Sequence, residues 1–83
     1  MTQRIDEEVA VAVIFSKGVM PKTVRWSGRD YPVERVGMHH TLHRGDDLIH
    51  VFGVICKTHW MRLELDTKTL SWKLLEINDG QTN

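Results

Sequence analysis

The chain is short of the features that would mark it at once: it has one cysteine, Cys56, two prolines, Pro21 and Pro32, no surplus charge of either sign and no long apolar run. Each shortage excludes something. A single thiol forms no intramolecular disulfide and supplies no Cys-rich zinc cluster, which fits a reducing compartment. The longest apolar run, Val9 to Phe15, is far too short to cross a bilayer, and it follows a polar, acidic start with no basic n-region. A cytoplasmic location and no membrane partner are expected. Eleven basic residues balance eleven acidic ones, so the chain as a whole has no pull on polyanions. No phosphate-cradling glycine loop, metalloprotease helix, nucleophile elbow or Cys-x-x-Cys pair occurs, and the glycines are spaced as turn residues. The expectation is a protein without catalytic residues or cofactor.

With 83 residues there is material for one core, so residues 1–83 read as a single domain, ordered over about 8–77 and frayed at 1–7 and 78–83. A domain this small buries only about 60% of the surface of its unfolded chain, and an associating copy is one way to gain the missing stability.

What the sequence does contain is period-two hydrophobicity. Val9, Val11, Val13 and Phe15 alternate with Ala10, Ala12 and Ile14, a strand pattern that Ser16-Lys17-Gly18 breaks. Lys22 to Trp26 and Arg29 to Val33 flank Ser27-Gly28 as a hairpin that sets Trp26 opposite Arg29, Arg25 opposite Asp30 and Val24 opposite Tyr31. After Val33 the apolar parity slips, which predicts a bulge near Glu34-Arg35. Leu48 to Cys56 is apolar on both faces, so it should be covered on both. A final hairpin with the loop Asp66 to Thr69 would pair Leu65 with Leu70, Leu63 with Trp72, Met61 with Leu74 and Trp60 with Leu75. No segment has capped helical spacing. The fold class is all-β: five to six antiparallel strands in meander order, forming a small barrel or a strongly twisted sheet.

Three surfaces are candidates for function. Residues 17–44 hold six basic side chains against Asp30 and Glu34, and within them Lys22, Arg25, Arg29 and Arg35 surround Trp26 and Tyr31. Cationic groups for phosphates beside rings for bases form a nucleic-acid-binding pattern, although Trp26 and Tyr31 also alternate with Val24 and Val33 as core residues would. Trp60, with Leu75 and Ile77, would project from the face opposite Met61, Leu63 and Leu65, as an interface patch for a homodimer or as a surface that a second layer covers. His39 and His43, with His50, His59 or Asp46, are candidate metal ligands, set against a plain exposed loop of histidines between two strands. Cys56, beside Val54 and Ile55, reads as a buried small apolar residue.

The motif Trp26-x-Gly28-Arg29-x-Tyr31-x-Val33, followed by a closing aromatic hairpin with Trp60 and Trp72, resembles a group of small uncharacterised bacterial domains. These occur alone or appended to proteins related to Y-family DNA polymerases. The resemblance runs from Pro21 to Ile77, and the histidines of the middle segment stand where it would lead one to expect aromatic and basic residues. It implies a non-catalytic accessory module linked to nucleic acid. Together these readings predict a binding module for nucleic acid or a protein partner, with His-dependent metal binding as the alternative.

Overall fold

The computed structural model describes residues 2–78. Among these described residues there are seven strands: β1 (Thr2–Phe15), β2 (Val19–Trp26), β3 (Arg29–Pro32), β4 (Arg35–Arg44), β5 (Asp47–Cys56), β6 (His59–Asp66) and β7 (Ser71–Asn78). They form one antiparallel sheet in the order β3-β2-β1-β7-β6-β5-β4, curled into a half-barrel. The expected five or six strands become seven because a single run of chain bends in two. Val33 N–H donates to Lys22 O on β2 and Glu34 N–H to Ile55 O on β5, both at 2.8 Å. The chain thus leaves one edge of the sheet and joins the other within two residues, at the parity slip seen in the sequence, and this closes one end of the half-barrel.

The second corner lies in β1. Its first half pairs with β7, Thr2 opposite Asn78 through Val9 opposite Trp72, and its second half pairs with β2, Ala10 opposite Arg25 through Phe15 opposite Val19. An extra residue between Arg4 and Glu7 turns the strand, with Asp6 in the left-handed region at φ 56°. The start of the chain, expected to fray, is therefore strand from Thr2 onward, because β7 supplies it with a pairing edge. Of the expected frayed C-terminal residues 78–83, Asn78 ends β7 and 79–83 lie outside the described residues.

Alternation places the core on the concave face. Phe52, Val54 and Cys56 of β5, Met61, Leu63 and Leu65 of β6, Trp72, Leu74 and Ile77 of β7 and Val24 of β2 are buried together. Val9, Val11, Val13, Trp26, Tyr31 and Val33 pack around them. On the convex face Ile49 and Val51 are also buried, with Leu42 and His40 as their partners on β4. β5 is covered on both sides, as its two-faced apolarity requires.

Two local expectations are corrected. The histidine segment is strand β4, not a loop: His39, His40 and His43 pair with Phe52, Val51 and Leu48, and the turn falls later, where Gly45 takes φ 65°. In the last hairpin Leu65 pairs with Trp72 and Leu63 with Leu74, two residues from the predicted register. The loop shifts because Leu70 itself turns the chain at φ 59°, its N–H donating to Asp66 O at 2.7 Å. Since the shift is two, each of these core residues keeps its face. Leu70 leaves the core for the hairpin tip.

Candidate nucleic-acid interface

The β2–β3 hairpin folds as its sequence directs. Ser27 and Gly28 both take positive φ, 54° and 77°, the two-residue turn whose twist suits a hairpin, and the pairing sets Trp26 opposite Arg29, Arg25 opposite Asp30 and Val24 opposite Tyr31. Arg25 Nη1 donates to Asp30 Oδ1 at 2.9 Å on the solvent side. Trp26 and Tyr31 sit on the other side, half-buried against the core, and the indole Nε1 donates to Glu7 Oε1 at 3.1 Å.

At the closed end of the half-barrel this hairpin meets the turn between β5 and β6. That turn is the pair Lys57-Thr58, held between Cys56 and His59, with Lys57 at φ 56°. Between the two hairpins lies a cleft of about 240 Å³ lined by Arg29, Asp30, Tyr31, Pro32, Cys56, Lys57, Thr58 and His59. The rings form a row: Trp26 and Tyr31 have centroids 6.1 Å apart, and Tyr31 meets His59 edge-on at 5.5 Å. Arg29 and Lys57 are exposed on the rim. The cleft's carboxylate, Asp30, is held by Arg25, which leaves Arg29 and Lys57 as its uncompensated charges among the residues that line it. A cationic rim on half-exposed rings can hold a phosphodiester while a base rests on a ring face.

Of the basic residues named from the sequence, the structure brings only Arg29 to this cleft. Lys22 lies at the register shift between β1 and β2, Arg25 is engaged by Asp30, and Arg35 opens β4 opposite Ile55. Lys57 and Thr58 were not singled out from the sequence, and His59 was grouped with the other histidines. Their signal was present, since a polar pair between two apolar strands is a hairpin turn, but its position beside Tyr31 arises only when the sheet curls.

The histidines divide into two places. His39 and His50 meet on the concave side, His39 Nε2 and His50 Nδ1 sharing a hydrogen bond of 2.8 Å, and the His39 ring stacks on Phe52 with centroids 4.3 Å apart. His43 lies further along β4 and His59 in the cleft. Among the described residues no group of three or more His, Cys, Asp or Glu side chains is arranged to hold a metal ion. Burial pushes the Cys56 thiol up to about 11, with Glu34 adding to it, so the sulfur stays protonated and packs as an apolar group.

The aromatic patch is also redistributed. Trp60 does occupy the convex face, but it is half-buried, its ring atoms 3.3 Å from where a Cβ on Gly53 would stand, and the Arg62 guanidinium carbon lies 5.6 Å from the ring centroid. Leu75 falls at the irregularity between β6 and β7. That extra residue reverses parity and turns Ile77 inward opposite Met61, 8% exposed in the core. Ile77 is therefore not available to an interface.

No family model matches the chain, and no curated protein or solved structure matches it. Among the described residues no helix is long and apolar enough to cross a membrane.

Proposed function

We propose that this protein is a non-catalytic module that binds single-stranded nucleic acid in the cleft between the β2–β3 and β5–β6 hairpins. The observation that carries the reading is the placement of Arg29 and Lys57 on the rim of a row of half-buried rings, Tyr31 and His59 in the cleft and Trp26 beside it. Arg29 and Lys57 pair with phosphates, and a base stacks on Tyr31 or His59. Such stacking tolerates any base, so affinity should depend on strand length and salt more than on sequence. The likeness of the Trp26 to Val33 motif to domains appended to polymerase-related proteins points the same way.

The test is fluorescence anisotropy of labelled DNA and RNA oligonucleotides, single-stranded and duplex, at low salt. Binding to single strands that weakens steeply with salt and is lost in the Arg29→Ala/Lys57→Ala double variant is the expected result. No binding at the lowest salt, or equal binding by the double variant, overturns the proposal.

A further inference from the structure

At the end of the half-barrel away from the cleft, the second half of β1 lies open. Residues 10–15 have one partner strand among the described residues, β2, because β7 accompanies β1 only as far as Val9. Beside that free edge is a slot of about 480 Å³ whose apolar wall includes Val11, Phe15, Leu65, Leu70 and Trp72. Phe15 and Leu70, which line it, are each 69% exposed, and Ile14, next to Phe15 on the other face of the strand, is 49% exposed. The other long free edge of the sheet, β4, carries Arg35, Arg44 and three histidines, the charged and polar side chains that usually keep an edge from pairing. Residues 9–15 carry no charge and no proline.

We infer that this edge is the dimerisation surface of the protein: a second copy of the same chain adds its own β1 antiparallel to the first, joining two half-barrels through one continuous sheet. The geometry restricts the register. In an antiparallel pair, opposed residues share a face, so Val9, Val11, Val13 and Phe15 can oppose only one another. A pairing centred on Ala12 would set Phe15 against Val9, whose edge Trp72 already occupies. Of the registers that leave Phe15 clear of Val9, the one centred on Val13, which faces its own counterpart, opposes the longest stretch, residues 11–15. It sets the Phe15 of each copy opposite Val11 of the other, over the slot, and Ile14 opposite Ala12, whose small side chain leaves it room. The ends agree in charge. Lys17, just past the strand, comes to the acidic start of the other copy's strand beside Glu8, which also lines the slot. A twofold arrangement makes each of these contacts twice. The surface is small, so the dimer should be weak, with a dissociation constant in the micromolar range.

The experiment is sedimentation equilibrium over a wide concentration range on the full chain, with circular dichroism to verify that each variant is folded. The parent should show reversible dimerisation. Phe15→Lys, at an exposed position, should keep its fold and weaken association by roughly tenfold or more. Lys17→Glu and Glu8→Lys should each weaken it, and the two together should restore it. Val13→Cys should oxidise to a covalent dimer, since directly opposed strand residues lie within disulfide reach, while Ala12→Cys should not. A parent that stays monomeric at the highest concentrations overturns the inference, including the case in which the slot takes an unrelated strand. Association unaltered by Phe15→Lys, or crosslinking through Ala12→Cys but not Val13→Cys, overturns it as well. Oligonucleotide binding is a separate measurement at a separate site, so failure of either proposal leaves the other standing.

Discussion

His39 and His50 share one hydrogen bond at 2.8 Å across the β4–β5 pair, while the His39 ring lies stacked on Phe52 within 2° of parallel. The bond needs a donor on one ring and an acceptor on the other, so protonating both rings breaks it. Burial against Phe52, then the nearby His50 and His40, hold His39 below its ordinary value of 6.5. A folded-state value below the unfolded one means that the unfolded chain binds the proton more readily. The associated stability is complete above about pH 6.5 and is lost as the pH falls through that value toward the depressed one. The urea midpoint should therefore hold steady from about pH 8 to about pH 7 and decline toward about pH 5.5. His39→Gln, which cannot titrate, should flatten part of that decline. Superimposable pH curves for the parent and His39→Gln would rule the pair out as the cause.

Gly53 supports a second relationship on the convex face. A Cβ there would stand 3.2 Å from Met38 Cε and 3.3 Å from the Trp60 ring, so the glycine is the floor on which Trp60 and Met38 rest in the middle of β5. Gly53→Val should lift the indole and cost about 1–3 kcal/mol, as overpacking does. The expected readout is a lower urea midpoint together with a red-shifted tryptophan emission. A variant as stable as the parent, with unchanged emission, would show that Trp60 does not depend on this floor.

The fold was largely legible because hairpins are local. Ser27-Gly28 set the register of β2 and β3 from four residues on each side, and alternation assigned Met61, Leu63, Leu65, Trp72 and Leu74 to the core even with the loop misplaced by two. Apart from the parity slip after Val33, features that require a residue to break alternation were not legible. The extra residue near Leu75, which turns Ile77 inward, and the left-handed Asp6, which extends β1 along β7, leave no compositional mark, because Leu and Asp carry no turn signal as strong as glycine's. The candidate cleft was half legible. Arg29, Trp26 and Tyr31 are neighbours in sequence, but Lys57 and His59 reach them only through closure of the sheet, a long-range consequence of the bend at Val33 and Glu34.

Leu70 is the position where local strain is most directly testable. It holds φ 59° at the tip of the β6–β7 hairpin, a conformation costly for a side chain with a Cβ, and it is 69% exposed, so little packing offsets the cost. Leu70→Gly should raise stability by about 0.5–1 kcal/mol, measured by urea unfolding at low protein concentration, where association does not contribute. A drop in stability instead would mean that the Leu70 side chain contributes more against the slot than its backbone loses.

The charge and ring contributions to nucleic-acid binding should separate in the salt dependence. For a single strand, each neutralised phosphate contributes about 0.7 to the slope of log K against log salt. Arg29→Ala and Lys57→Ala, both on the cleft rim, should each lower that slope by about one contact's worth. Arg35→Ala, outside the cleft opposite Ile55, should leave it unaltered. Tyr31→Leu keeps apolar bulk against the core but removes the ring. It should cost about 1–3 kcal/mol of affinity at every salt concentration with the slope preserved, because stacking releases no counterions. Should the rim variants reduce affinity equally at all salt concentrations, the cations would be shaping the cleft rather than pairing with phosphates. An Arg35→Ala effect as large as that of Arg29→Ala would move the strand's path off this cleft and onto the β4 edge.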